Sequence, residues 1–505
     1  MSTELASVKL LEQLESFGCC RRCILRFLSD ENLLEPCTRP GKVLGCISTN
    51  SQGHSGICFS GEKKVNDEDH DIEGNPKKVP RTNDDIDIRD NWTTSDQEVC
   101  MSCLGLLQEK TVADQVEQIY EAVKKSDYEF HSVSLSVSSP LALMVMQHSM
   151  LASISVESRA ALTENICSVK DVYKELICQQ LETKLKSFHS FQSPFEVEIT
   201  LLHHESEHIV KDICRGSAVT SSLITHILSD ISVQEFLKYC PRPPMAYKTA
   251  CSVSKVRCHH LPVFVAGRYC KYSRSISQTP WLLDGVRKGH ASVQEIICPR
   301  IQDRWKADSV RFSSSGREDI DVRMLGQGRP FVVELINPHR SFVPLTDFEK
   351  LQQEINSDTS DVSVRDLQLV GRESTKHLKE GEEMKKKTYC ALVKVEKHVD
   401  QTDCNYLNSL KDIVLKQKTP LRVMHRRSVA CRERIVYQVS SSLVDSHHIR
   451  LCLVSQAGTY VKEFVHGDMG RTVPSVRTLL QTSAEVIALD VASVETDWPP
   501  VVAEM

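Results

Sequence analysis

The sequence predicts an α+β (mixed α/β) protein of more than one domain, on three observations. At 505 residues the chain exceeds what one hydrophobic core usually holds. Its first half sets a few alternating β-type runs among longer helical periodicities. Its second half carries a series of β-type runs among short helices, which suits one large central sheet, mixed or antiparallel.

From the N-terminus, Val8, Leu10, Leu11, Leu14 and Phe17 mark an apolar helical face that Gly18 stops. A cysteine knuckle, Cys20-Arg-Arg-Cys23, follows and precedes the apolar run Ile24 to Leu28. Residues 40 to 97 are polar and poor in aromatics, too little apolar surface to offset the entropy of ordering, so a disordered insertion is expected there. A second knuckle, Cys100-Met-Ser-Cys103, leads into a helix through Val112, Val116, Ile119, Tyr120 and Val123. Val133, Leu135 and Val137 alternate with serines, as Val197, Ile199 and Leu201 do with Glu and Thr, and both read as half-exposed strands. Helices fill the gap around 140 to 190 and again near 207 to 238, and the PRPP run at 241 to 244 punctuates a boundary. Beyond it, 262–267, 331–336, 388–395, 434–440 and 448–455 read as strands. The expected domains are 1–39, the insertion 40–97, 98–245 and 246–505.

Hydrophobic residues make up 40% and charged residues 26%, and no apolar run approaches a membrane span, so a soluble protein without a membrane partner is expected. Glu4, Glu12 and Glu15 suit neither a secretory h-region nor an Arg-rich transit peptide, which points to an intracellular, cytoplasmic or nuclear, location. The twenty cysteines are scattered without pairing cues and are expected to be mostly reduced thiols. A net charge of −5 argues against nucleic acid only until the acids are located, in runs at 67–74 and 84–90. Local basic stretches set phosphate affinity.

The run from Ser315 to Phe331, SGREDIDVRMLGQGRPF, places Asp319 between Arg317 and Asp321, with Gly316, Gly326 and Gly328 offering positive φ on both sides. GREDIDVR resembles the catalytic loop of pseudouridine synthases, the match falling on Gly316, Arg317, Asp319 and Val322. With GRYCKYSRSISQTPW, RPFVVELINPHR and GTYVKEFVHGDMGRT, the chain resembles the archaeal and eukaryotic tRNA pseudouridine synthase family that modifies TΨC-loop uridines, over nearly its whole length outside 40 to 97. The resemblance implies a pseudouridine synthase catalytic domain behind a zinc-knuckle and THUMP-like RNA-binding half. It implies an isomerase acting on the TΨC arm of tRNA, expected to be a monomer, and leaves room for other structured RNAs.

That chemistry breaks an N-glycosidic bond, turns the uracil and rejoins it through carbon, so it needs a nucleophile and no catalytic cofactor. By resemblance Asp319 is the nucleophile, Arg317 supports it, Lys462 of GTYVK is its ion-pair partner and Tyr389 of KKKTYCALV stacks on the base. A carboxylate nucleophile must be ionised, hence the cation. Read by themselves, Lys462 could be a helix-surface lysine and Tyr389 a core aromatic. Asp321 is expected to be structural, since no sugar-binding aromatics support a paired-carboxylate glycosidase.

Cys20, Cys23, Cys100 and Cys103 supply the four thiolates of a tetrahedral structural zinc, both pairs at helix starts where the dipole favours thiolate. Spacing alone leaves unrelated buried cysteines or a redox pair open, and Cys19 could replace Cys20. The paired cysteines that the resemblance implies favour one zinc site.

Three basic runs are expected to hold RNA phosphates. Arg268, Tyr269, Lys271, Tyr272 and Arg274 mix cations with aromatics. Thr279, Arg287 and Lys288 fall in the run that resembles a forefinger loop. Arg422, His425, Arg426, Arg427, Arg432 and Arg434 fall in the run that resembles a thumb loop. The tandem histidines 203/204, 259/260 and 447/448 read as ordinary polar positions. The alternative from another class is an RNA-binding or processing scaffold that keeps the fold without catalysis. A zinc deaminase is disfavoured because neither Cys-x-x-Cys follows proline.

Overall fold

The computed structural model describes residues 3–28, 98–162, 166–215, 217–283, 285–378, 385–425 and 427–502, so the insertion expected at 40–97 lies outside the described residues. Two compact units emerge, one drawn from residues 1–122, 135–189 and 198–257, the other from 123–134, 190–197 and 258–505. The sequence had put its boundary at the proline-rich turn 241–244. No described helix is long and apolar enough to cross a membrane.

In the first unit, helix Thr3–Ser16 runs into Gly18, whose φ of +70° is open to glycine at no steric cost. Leu10 and Leu14 are buried, whereas Val8 of the predicted face is exposed. Helix Arg21–Leu28 begins inside the first knuckle and includes Cys23, whereas the second knuckle lies in a turn ahead of helix Glu109–Lys125, so only the first pair sits at a helix start. A four-stranded sheet, most of whose residues fall in this unit, orders Phe188–His189, Ser132–Ser138, Phe195–Leu202 and Ser252–His260. Alternation put the first long strand where Val133, Leu135 and Val137 go inward, and all three are buried. Helix Val169–Leu185 starts where Ser168 accepts from the amide of Asp171 at 3.0 Å. Its Tyr173 hydroxyl donates to Gln115 at 2.6 Å, and Gln115 donates to the carbonyl of Cys251 at 2.7 Å.

The second unit is built on a ten-stranded sheet. Its strands lie in the order Val362–Val370, Val263–Lys271, Val322–Pro338, Ala484–Val494, Lys387–Val395, His448–Ser455, Cys431–Asp445, Lys411–Lys418 and Thr472–Val473, with Ala307–Ser314 pairing off Val322–Pro338. Ala484–Val494 pairs in parallel with Val322–Pro338, and its other neighbour is antiparallel. The sequence predicted five of these strands. It missed Ala307–Ser314, Val362–Val370, Lys411–Lys418 and Ala484–Val494, whose mixed polar and apolar content hides the period of two, and the two-residue Thr472–Val473, too short to show one.

Helix Val293–Trp305, capped by Ser292 accepting from Glu295, and helix Leu345–Asp358 cover the sheet and bury Ile297, Ile301, Trp305, Phe348 and Ile355. Burying each such side chain contributes about 1.5–3 kcal/mol. The Trp305 and Phe348 rings meet edge-on at 5.4 Å.

Register brings three site strands side by side. Tyr389 faces Val491, and Val491 faces Met324, so the tyrosine lies across one intervening strand from the segment that follows Asp319. Cys390 and Cys452 stand opposite each other on Lys387–Val395 and His448–Ser455 and are joined as a disulfide, with Cα atoms 4.2 Å apart. The other described cysteines are free, as expected of mostly reduced thiols, and this pair is the exception: its separation of 62 residues carries no cue, because register creates the contact.

Gly326 and Gly328 let the long strand lie flush against both neighbours. A Cβ on Gly326, at φ +64°, would meet the carbonyl oxygen of Ala492 at 2.2 Å, and one on Gly328 would meet that of Tyr269 at 2.8 Å. Backbone cannot yield as a side chain would. Gly326→Ala should therefore destabilise this unit by about 2–4 kcal/mol, seen as a lowered urea midpoint by tryptophan fluorescence.

Candidate active site

The loop Ser315–Asp321 leaves strand Ala307–Ser314 and re-enters the sheet at Val322. Ser315 donates its amide to Pro330 O at 3.0 Å, and Val322 closes a turn onto Asp319 O at 3.1 Å. Beneath it lies a buried polar core. Glu318 accepts from Arg329 Nε at 2.8 Å and from the Tyr269 hydroxyl at 2.9 and 3.1 Å, while Arg329 Nη1 donates to Ser315 O at 2.7 Å. The Glu318 and Arg329 side chains are 0% and 2% exposed. Burial opposes the charge on Arg329, but Glu318 outweighs it and raises the guanidinium pKa above its ordinary value. Gln278 adds donations to the Tyr269 hydroxyl, Ser314 Oγ and Gly316 O.

Lys271 completes the support. Its buried ammonium donates to the carbonyls of Ile276, Asp319 and Ile320 at 3.0, 3.2 and 2.8 Å, with its pKa pushed down to about 8 by burial.

Above this base the Asp319 side chain is 31% exposed and meets two cations. Arg422 Nη1 donates to Oδ2 at 2.8 Å, and Lys462 Nζ lies 3.5 Å from the same oxygen. Lys462 stands closer to Asp321, at 2.8 Å from each carboxylate oxygen. Burial works against the Asp321 charge, yet Lys462 holds its pKa below the usual value. Arg317 is turned elsewhere and donates to Thr279 Oγ1 at 3.2 Å.

Lys462 is presented by helix Val461–His466, whose entry is pinned by a two-way bond: Gln417 donates to Tyr460 O and accepts from Tyr460 N, each at 3.0 Å. The next residue, Glu463, has a side chain 1% exposed and accepts from Arg422 Nε at 2.7 Å. Tyr389 is half-buried, and burial raises its phenol pKa, opposed by Arg329 and reinforced by Glu318 and Asp319, so the ring stays neutral.

Several predicted RNA contacts are corrected. Arg268, Tyr269 and Lys271 are 5%, 0% and 0% exposed and cannot reach a phosphate. Arg268 donates to the carbonyls of Thr496 and Trp498, while the other two support the loop. Arg274 is held by Asp490 at 2.5 Å and by the carbonyls of Asp321 and Leu489. Arg422 is spent on two carboxylates. Tyr272, Arg287, His425 and Arg427 are exposed, although Arg287 also pairs with Glu295 at 2.8 Å. Thr279 is half-buried, as are Arg432 and Arg434; Arg432 donates to Thr419 Oγ1 at 3.2 Å and Arg434 to Glu433 O at 2.7 Å. Arg426 and the Lys288 side chain lie outside the described residues.

Glu318, Arg329, Gln278 and Glu463 were missed as site residues. The available signal was a charged residue inside an apolar run, Arg329 before Pro330-Phe331 and Glu463 before Phe464-Val465.

In the first unit, Cys20, Cys23, Cys100 and Cys103 are buried with their sulfurs within 4.8 Å of one another. Cys20 and Cys103 sulfurs lie 3.8 Å apart, the edge of about 3.8 Å that a tetrahedron with metal–sulfur bonds of about 2.3 Å requires. Burial disfavours a thiolate at Cys100, but thiol hydrogen bonds led by Cys103 outweigh it and lower its pKa well below the ordinary value. The amides of Cys20 and Leu107 point at Cys100 and Cys103 sulfurs, at 3.2 and 3.4 Å. The donor set fits a soft tetrahedral metal.

Comparison with known proteins matches residues 264–495 to the family described as "Pus10, C-terminal" and residues 100–258 to "Eukaryotic Pus10, N-terminal". The first span holds every residue of the constellation around Asp319. The tRNA pseudouridine synthase Pus10 of Homo sapiens is 43% identical over 422 residues, covering 80% of each chain. That of Mus musculus is 38% identical over 525 aligned positions, covering 96% of each chain. That of Thermofilum pendens is 39% identical over 247 residues, 48% of this chain and 55% of its own.

The buried ion pair generates a test of the support. Glu318→Gln leaves the Arg329 charge uncompensated and should cost about 3–5 kcal/mol, measured as a lowered midpoint of chemical unfolding.

Proposed function

The chain belongs to the Pus10 family of tRNA pseudouridine synthases, and on that premise we propose that it isomerises uridine to pseudouridine in the TΨC loop of tRNA with Asp319 as nucleophile. It is an isomerase acting on RNA. The observation that carries the residue assignment is the Asp319 carboxylate itself, half-exposed on a loop bolted from below and faced by Arg422 and Lys462.

The two cations face the carboxylate that attacks the nucleoside. The N-glycosidic bond breaks, the uracil turns while Tyr389 holds its face, and a carbon–carbon bond forms as the nucleophile departs. The proton lost from the base carbon balances the one gained at nitrogen, so no cofactor enters. Arg317, beside Thr279 at the mouth, is assigned to RNA rather than to the nucleophile.

Among the described residues, exposed His425, Arg427, Arg287 and Tyr272 are read as meeting the TΨC arm, with Arg432, Arg434 and Thr279; Arg426 and Lys288, adjacent in sequence, are assigned the same role. The first unit is read as a THUMP-like RNA-binding module steadied by one structural zinc on Cys20, Cys23, Cys100 and Cys103. The protein is read as a monomer of the cytoplasm or nucleus, where its substrate resides. A scaffold without catalysis is disfavoured because Asp319, Tyr389 and Lys462 are all present on neighbouring elements.

Asp319→Ala should abolish tritium release from a 5-tritiated-uridine TΨC-arm transcript with no cofactor added, while a filter-binding assay shows tRNA still bound. Product formed at the unaltered rate would sink the assignment. Metal analysis tests the zinc separately: the protein should carry about one zinc per chain, and the Cys20→Ser, Cys100→Ser double variant should lose it.

A further inference from the structure

Arg422 lies on the run expected to grip RNA, in the short turn Leu421–Val423, and although its side chain is 37% exposed its guanidinium is engaged by two carboxylates. Nε donates to Glu463 Oε1 at 2.7 Å, Nη2 reaches Glu463 Oε2 at 3.4 Å, and Nη1 donates to Asp319 Oδ2 at 2.8 Å. One face of the fork is spent on an anchor and one nitrogen on the carboxylate of the loop.

Glu463 makes this arrangement costly to undo. A carboxylate 1% exposed is stable only when paired, and its side-chain partner among the described residues is Arg422. The two-point contact fixes the guanidinium plane, so Nη1 is aimed rather than merely near. Lys462, the other cation at Asp319, is the weaker holder: it sits 3.5 Å away and directs its ammonium to both oxygens of Asp321 at 2.8 Å. Arginine also stays charged at every working pH, which suits a permanent counter-ion.

We propose that Arg422, aimed by buried Glu463, is the positioning residue that holds the Asp319 carboxylate oriented for attack, rather than a phosphate contact. The proposal rests on Asp319 being the nucleophile. Three of the five N–H groups of the guanidinium are turned to carboxylates, which leaves it poorly placed to grip a phosphate. Asp319 is faced by Arg422 and Lys462 directly, by Asp321 through shared Lys462, by Lys271 at its backbone carbonyl and by the charge-coupled Tyr389, with Glu463 behind Arg422. Removing Arg422 leaves one cation shared between two aspartates.

The test uses the full chain in single turnover on a TΨC-arm transcript. Arg422→Ala should lower the rate at saturating RNA by about 10- to 100-fold while affinity for the transcript changes by less than about threefold. Arg422→Lys should recover part of the rate. Glu463→Gln should lower the rate without weakening RNA binding.

If Arg422→Ala weakens transcript binding and leaves the saturated rate unchanged, Arg422 is a phosphate contact and the proposal is wrong. Should Arg422→Ala fail to fold, Arg422→Lys decides: a reduced saturated rate at an unaltered melting temperature supports positioning, and an unaltered rate overturns it. Turnover by Asp319→Ala would remove the nucleophile reading itself. An inactive Asp319→Ala beside fully active Arg422 variants removes only the positioning role.

Discussion

An ion pair shut away from water, Glu318 with Arg329, holds the loop that everything else at this site depends on. Two buried charges cost several kcal/mol to desolvate, and a close pair recovers that only when the remaining lone pairs and protons are satisfied. Here they are: Tyr269 donates to both oxygens of Glu318, and Arg329 turns a second nitrogen to Ser315 O. Glu318 is on the loop and Arg329 on the strand that follows it, so the pair bolts a turn to its own sheet. Asp319, the adjacent residue, is thereby carried to the solvent edge with its backbone fixed from beneath by Lys271. A rigid base under an exposed carboxylate is what an attacking group needs.

At the mouth, charge is shared rather than paired off. Asp319, Asp321 and Glu463 are served by Arg422 and Lys462, and each cation touches two carboxylates. The balance there is slightly acidic, which explains why cations inside the site are poor candidates for holding phosphate. RNA must be met by side chains whose donors are not already committed, such as His425 and Arg427. Basic residues counted along the chain overstate the binding surface, because several are structural.

The first unit solves a different problem. Its two cysteine pairs are separated by a long polar segment, and a chain that must bring such distant points together loses loop entropy. Four buried sulfurs within 4.8 Å repay it if a metal joins them, since binding to a site formed only in the folded state is folding free energy. Helix Arg21–Leu28, which begins within its knuckle, and helix Glu109–Lys125, which follows its own, then have a fixed start.

Linear pattern was enough to read the mixed α/β class, the alternating strands around Val133 and Val197, the paired cysteines and the loop carrying Asp319. Those signals are local: a period of two, a two-residue chelate spacing, a glycine where φ turns positive. Hidden from it were the neighbours. Nothing in the sequence says that Arg422 faces Asp319, that Lys271 looks inward or that Cys390 meets Cys452, because strand order and register set which distant residues touch. The chain by itself determined which chemical groups are available and where the backbone can bend. Tertiary structure decided which cations are buried supports, which hold the carboxylate and which remain for RNA, since burial and distance, not residue type, fix where a charge is spent.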